Sequence, residues 1–556
     1  MGVASRAGVF LSAALLGGVV WTAAPADSPI RFVYQPIRFT LDTSETPERH
    51  VPETMAGGVA VFDYNNDGYL DVFFTNGADI RTLKKTSPKY SDRLFANDGK
   101  GHFTDVTEKA GLAGAGYDDA VAIADYDNDG YKDIFVGGVH GNRLYHNNGD
   151  GTFSDVTRKA GIDRPDTEYG PLWSVGGVWL DVNNDGLLDL FVVNYLSWDI
   201  DTEPPCVAQG GRDYCHPKFY KKLPNQLFLN NGGGTFKDVS AESGIRAHPG
   251  KGMGAAAADF DLDGWMDIFV TNDRLDNSFF HNKGGGKFEE VAFETNVALR
   301  ENAEWISGMG ADFRDIDNDG YPDIVFVALD DETFPIFRNT GKGDFIDFTA
   351  RSGMGGLSLP MAGYSPTVCD FDNDGWKDLF VTRGHVLSLV SAPRVMVKQQ
   401  NTVFRNLGGL KFAALTAEAG LAAQPPQRHR GSAVGDLNGD GRVDVVVSAI
   451  GAPAEIWMND SPGAGHWLEL QLEGTKSNRD AIGARIKVVT RGGTQYNHVS
   501  FSFGYASSSA GPVHFGLGPE KSADLVEIRW PSGTGQELKN VAGDRVVRVK
   551  EPGPPQ

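Results

Sequence analysis

Seven times between Asp63 and Asp444 the chain repeats one acidic loop: Asp or Asn at the first, third and fifth places, Gly at the sixth and Asp at the ninth. The copies run Asp63, Asn65, Asp67, Gly68, Asp71; Asp125, Asp127, Asp129, Gly130, Asp133; Asp181, Asn183, Asp185, Gly186, Asp189; Asp259, Asp261, Asp263, Gly264, Asp267; Asp315, Asp317, Asp319, Gly320, Asp323; Asp370, Asp372, Asp374, Gly375, Asp378; and Asp436, Asn438, Asp440, Gly441, Asp444. Alternate residues of a tight loop turn their side-chain oxygens to one point, and Ca2+ takes about six to eight oxygens at roughly 2.3–2.6 Å. Glycine at the sixth place permits the sharp turn. The seventh-place carbonyls, on Tyr69, Tyr131, Leu187, Trp265, Tyr321, Trp376 and Arg442, offer one more oxygen each. Up to seven Ca2+ ions are therefore expected, with weaker binding where Asn65, Asn183 or Asn438 replaces a carboxylate.

An EF-hand needs a bidentate Glu at the twelfth place between two helices. Here that place holds Phe74, Val136, Val192, Val270, Phe326, Val381 and Val447, within short apolar runs that read as buried strands. Each loop thus joins two β-strands. Turn chemistry accounts for Asp, Asn and Gly in any one copy, but not for a further Asp three residues past the glycine in all seven. Charge points the same way: the loops hold twenty-five Asp, and removing them from 73 acidic residues leaves 48 against 51 Lys plus Arg, so the net charge of −22 is concentrated there. Two carboxylates at about 4 Å repel by roughly 4 kcal/mol at an effective dielectric near 20. Ion binding is then part of folding.

Around each loop a longer unit recurs: a Gly- and Ala-rich strand, the loop, an apolar strand, an aromatic-Asn strand such as Leu144-Tyr145-His146-Asn147, a Gly turn, and a strand ending near Asp155-Val156-Thr157. Four antiparallel strands per unit, with loop starts 62, 56, 78, 56, 55 and 66 residues apart, predict an all-β fold: a seven-bladed β-propeller with a small C-terminal β-domain. The seventh unit lacks its last strand. The segment around residues 37–43, Phe39 to Thr43 above all, resembles the missing piece and is expected to complete the last blade.

Boundaries follow. Residues 1–26 read as a secretory signal peptide, 27–460 as the propeller and 461–556 as the β-domain, with no membrane span after cleavage and a secreted or periplasmic location. The long third step, of 78 residues, contains Cys206 and Cys215 in a Pro- and Gly-containing insert, expected to be disulfide-bonded in an oxidising compartment; Cys369 is expected to be a small buried side chain.

The acidic loop followed by Leu-Phe-x-Asn, Gly-x-Gly-x-Phe and Asp-Val-Thr resembles the FG-GAP or VCBS repeat, similar to the calcium-bearing blades of integrin α-subunit heads. Gly474 to Arg485, Gly504-Tyr505, His514 to Gly518 and Val526 to Gly533 resemble the ASPIC/UnbV domain. Together they are similar to the cartilage acidic protein family, which implies export, calcium binding and recognition, and no reaction. Within the tail, Asn478-Arg479-Asp480 reads either as a binding site or as a polar turn.

No Gly-x-Ser-x-Gly elbow, His-Glu-x-x-His helix or P-loop is present, and Asn231 to Gly234 sits at the ordinary turn position of the repeat. His102, His146 and His281 fall in repeat strands or turns, where packing or surface roles are the default. Trp173, Trp179, Trp198 and Trp305 read first as core residues and second as sugar-stacking platforms. The negative charge argues against nucleic acid. The expected function is non-catalytic recognition or adhesion toward an extracellular protein or glycan; the alternatives are a propeller enzyme acting on extracellular polysaccharide, or a scaffold that presents its tail.

Overall fold

The computed structural model describes residues 28–208, 211–387 and 397–553; the expected leader at 1–26 lies outside them. Each acidic loop is a hairpin between two strands whose composition explains their place. The strand after the loop is a buried apolar run, as in Asp71–Phe74 and Asp133–Val139. The strand before it is small, as in Gly252–Ala258, because other backbone approaches closely. A Cβ on Gly310 would stand 2.5 Å from the carbonyl carbon of Gly504.

The first unit pairs Val59–Phe62, Asp71–Phe74, Arg93–Asn97 and Phe103–Asp105 antiparallel in chain order. The same order recurs in five further sheets, from Tyr117–Ala124 to Phe153–Asp155, Ser174–Leu180 to Phe236–Asp238, Gly252–Ala258 to Phe288–Glu290, Ala311–Arg314 to Phe345–Asp347, and Gly363–Cys369 to Phe412–Leu415. The last unit holds His429–Gly435, Asp444–Ala449 and Pro453–Asn459, and its outer strand is Phe32–Thr40 from the other end of the repeat region, with Phe32 opposite Asn459 and Thr40 opposite Pro453. That strand begins at Phe32 rather than at about residue 37; Pro36 lies inside it, which an edge strand tolerates because one side donates no ladder bond. First strands of consecutive sheets lie side by side, and His429–Gly435 lies against Val59–Phe62.

One side chain ties the sheets together. The Asn ending each third strand donates to the second-place carbonyl of the preceding loop: Asn147 to Tyr64, Asn230 to Tyr126, Asn282 to Val182, Asn339 to Phe260, Asn406 to Ile316 and Asn459 to Phe371, at 2.8–3.3 Å. Asn97 of the first sheet makes the matching bond to Leu437 of the last loop, at 2.7 Å. Each Asn also donates to the eighth-place carbonyl of its own loop, as Asn339 does to Pro322.

Residues 466–550 form two sheets. His466–Glu473 lies between Val513–Gly518 and Arg545–Lys550; the other sheet runs Gly493–His498, Arg485–Thr490, Ser522–Arg529, Gly535–Ala542. Between them the chain leaves the tail and passes among the first strands of the repeats. There Gly504 exchanges two hydrogen bonds with Ala311, Ala506 accepts from the Val121 N–H, and Ser508–Ala510 pairs parallel with Val59–Phe62. The hydroxyls of Ser507, Ser508 and Ser509 accept from the N–H groups of Val59, Ile123 and Val434. At the tip, Tyr505 is fully buried and donates to the Met55 carbonyl at 2.7 Å.

Cys206 and Cys215 are disulfide-bonded. Their insert is held to the N-terminal segment by Glu203, which accepts from the Val51 N–H and the Tyr220 hydroxyl. Cys369 is a free, half-buried thiol.

Asn339→Ala orphans two buried carbonyls, so a loss of about 2–4 kcal/mol in urea unfolding is expected, against no measurable change for Asn148→Ala on an exposed turn. Equal effects would contradict the latch role.

Candidate metal centres

The seven loops share one frame. Each sixth-place glycine has φ between +79° and +98°, the left-handed region open to a residue without Cβ. Its N–H donates to the first-place Asp at 2.7–2.9 Å. The seventh-place N–H donates to the fifth-place Asp at 2.8–3.0 Å. These bonds curl the loop so that its carboxylates face inward.

The ninth-place Asp does a second task that the spacing alone did not reveal. One oxygen accepts from the N–H of the strand-ending Asn and the other from the second-place N–H, as Asp71 does from Asn97 (2.8 Å) and Tyr64 (3.0 Å). Asp133, Asp189, Asp267, Asp323, Asp378 and Asp444 repeat the pattern. This carboxylate therefore fixes its loop to the third strand, and the Asn beside it fixes that strand to the preceding loop.

Oxygens of Asp125, Asp127 and Asp133 lie within 4.8 Å of one another, as do those of Asp259, Asp261 and Asp267, and of Asp315, Asp317 and Asp323, so each trio is able to hold one metal ion. Buried oxygens of Asp127, Asp315 and Asp372 have no protein hydrogen-bond partner. A hard cation is the group such a donor set fits, because it supplies positive charge to carboxylate oxygens that the protein leaves unpaired.

Burial, the main cause in each case, raises these acids. Asp71 and Asp125 are pushed up to about 8, Asp133 to about 7, and Asp181, Asp259 and Asp315 to about 6. Asp189, Asp267 and Asp444 rise well above the carboxylate range for the same reason.

Several residues in and near the loops carry more than the sequence assigned them. The fourth-place Asn66, Asn128, Asn184, Asn318 and Asn373 all have left-handed φ, and each amide donates to the glycine carbonyl of the next loop, Gly130, Gly186, Gly264, Gly375 and Gly441 respectively, at 2.9–3.1 Å. Asn at a non-Gly left-handed position was the available signal. His146 and His281 pack edge-on against Tyr126 and Phe260, as expected, and their ring nitrogens also stand 3.4 Å from Asp127 and Asp261. His102 lies on an exposed hairpin beside Asp98.

The Asn478-Arg479-Asp480 turn seats the tail on the second loop. Asp480 accepts from the Asp125 N–H and from Lys132, and the Arg479 N–H donates to Asn128. Arg485 donates to the Gly320 carbonyl, the Gly518 N–H to Asn373 and the Gly465 N–H to Asp372, so the tail lies over loops two, five and six as well. Trp173, Trp179 and Trp198 are core residues, whereas Trp305 is 58% exposed.

The family profile for the FG-GAP-like repeat matches residues 63–136, 125–192, 220–270, 259–326 and 315–381, and that for ASPIC and UnbV matches 474–555. The chain belongs to the FG-GAP-like repeat family, with an ASPIC and UnbV tail. It is similar to cartilage acidic protein 1 of Xenopus tropicalis (28% identical, 55% of this chain and 45% of the relative) and of Homo sapiens (26% identical, 59% and 48%). It spans about half the length of the curated relatives it matches. Solved structures similar to it include an Agrocybe aegerita lectin recognising non-reducing terminal N-acetylglucosamine (TM-score 0.40, 18% identity, 72% of this chain and 87% of that one) and a Bacillus licheniformis rhamnogalacturonan lyase (TM-score 0.36, 13% identity, 77% and 75%).

A carboxyl raised on folding contributes stability that is present below its unfolded value, near 4, and is lost as pH rises through the folded value. With chelator present, the melting temperature is therefore expected to fall as pH rises from about 4 through about 8, where Asp71 and Asp125 ionise. With Ca2+ the fall should be abolished, because the ion stabilises the charged form. Parallel curves with and without Ca2+ would contradict this.

Proposed function

We propose that the chain is an exported, non-catalytic recognition protein in which each of seven acidic loops holds one Ca2+ at the rim of a closed seven-bladed β-propeller. The single observation that carries this reading is the recurrence, in all seven loops, of one hydrogen-bonded frame that faces carboxylates inward. The first, third, fifth and ninth side chains and the seventh carbonyl would ligate each ion. Ring closure is supported by the pairing of Phe32–Thr40 with Pro453–Asn459 and by the bond from Asn97 to Leu437.

The division into a leader (1–26), a propeller (27–460) and a tail (461–556) belongs to the same reading. The tail then acts as a cap on the loop face, with Gly504–Ser509 as a stopper along the axis. The disulfide suits an oxidising compartment, and no described helix is long and apolar enough to cross a membrane.

With one face covered, the partner docks on the opposite face or on the disulfide insert. Phe219 of the insert and Trp305 are 56% and 58% exposed, and the Trp305 indole is held by Asp276 at 2.7 Å, ready to stack on a sugar or an apolar side chain. The polysaccharide-enzyme alternative requires an open axial cleft. Tyr505 and Met55, meeting at the axis, favour recognition instead.

A glycan and extracellular-protein binding screen tests this. A ligand is expected whose affinity falls at least about tenfold in Trp305→Ala or Phe219→Ala, the scale of a lost aromatic contact. Turnover of a polysaccharide, or a ligand indifferent to both substitutions, would contradict it.

A further inference from the structure

The third-place residue and the residue just before the strand-ending Asn vary together. Loops one, three and seven carry Asn65, Asn183 and Asn438, and their third strands carry Ala96, Leu229 and Met458 at that position. Loops two, four, five and six carry Asp127, Asp261, Asp317 and Asp372, with His146, His281, Arg338 and Arg405 there. A carboxylate is always matched by a His or Arg side chain, and an amide by an apolar side chain.

The contacts explain the match. Arg338 forks across its loop, Nε to Asp317 at 2.6 Å and Nη2 to Asp319 at 2.7 Å; Arg405 does the same to Asp372 and Asp374, at 2.7 Å each. The guanidinium takes one Asp372 oxygen while the other stays buried without a protein partner, turned away from the fork. In the Asn loops the amide nitrogen supplies what the arginine supplies elsewhere: Asn65, Asn183 and Asn438 donate to Asp67, Asp185 and Asp440 at 2.9–3.0 Å. His146 and His281 stand 3.4 Å from the third-place carboxylate at the same strand position, without hydrogen-bonding to it, and His146 lies 3.2 Å from Asp133 as well.

We propose that these two positions act as one paired unit, in which Arg338 and Arg405 are positioning residues that hold the third-place carboxylate for the ion and cancel its extra charge. Loops one, three, five and six then present three net negative charges each. The expectation from sequence that Asn loops bind more weakly is replaced by near-equal binding in loops one, three, five and six. Arg442, which donates to Asp440, lowers loop seven by one further charge. The inference rests on the calcium reading of the loops, but the pairing also has a consequence without metal.

A double-mutant cycle on the full chain separates the two. Arg338→Leu leaves a fourth unbalanced carboxylate, so melting in EGTA should occur at lower temperature. Asp317→Asn leaves the guanidinium facing a loop with one charge fewer, so retention of one ion, counted by elemental analysis after dialysis at graded free Ca2+, should need about tenfold more Ca2+. The pair D317N/R338L rebuilds the arrangement of loop one and should return both readouts to within about threefold, or a few degrees, of the parent.

If the single variants fail to fold, the converse pair decides. Asn65→Asp should lower melting in EGTA, and N65D/A96R should restore it. Additive losses in both double variants would overturn the pairing. Coupled melting in EGTA with no Ca2+ uptake would uphold the pairing and refute the calcium reading.

Discussion

Repulsion among buried carboxylates is the constraint on which the rest depends. Three or four acids are drawn into each loop by backbone N–H groups, and the ninth-place Asp of every loop is buried, which no isolated turn requires. A cation relieves that repulsion, and the hydrogen bonds of the ninth-place Asp carry the relief outward. Through that Asp the loop grips its third strand, and through the adjacent Asn the third strand grips the preceding loop. Filling a loop thus bears on the joint between two sheets as well as on one hairpin.

The first strands show the same economy. Rich in Gly and Ala, they come close together and leave backbone N–H groups open to residues 504–509. A Ser-rich stretch of the tail satisfies them, with Gly504 passing where no Cβ fits beside Gly310 and Tyr505 reaching Met55. The tail is therefore integral to the packing rather than an appendage, and its seat on loops two, five and six couples its docking to the geometry of those loops.

Much of this was legible in the sequence, because loop chemistry is local. The Asp and Gly spacing, the apolar run after each loop and the cysteine pair all act over a few residues, and the all-β architecture followed from them. What stayed hidden is long-range. Asn97 reads as the end of a strand until Leu437 is found beside it, 340 positions away. Ser507 to Ser509 carry no local signal of their role, since their partners lie 448, 385 and 75 residues earlier. The packing of His146 on Tyr126 is the default reading, but nothing in its sequence neighbourhood places it beside Asp127. The resemblance at Phe39 to Thr43 marks only the end of the N-terminal strand, because residues 32–36 are held by pairing with Asn459 to Glu455 rather than by a repeat motif.

The central claim is that ions and fold form together, and calorimetry on metal-analysed protein tests it most directly. Protein dialysed against millimolar Ca2+ should carry close to seven ions per chain and unfold at a temperature far above that of the same sample in excess EGTA, with the difference set by free Ca2+. Identical unfolding in both conditions, with no bound alkaline-earth metal, would contradict it.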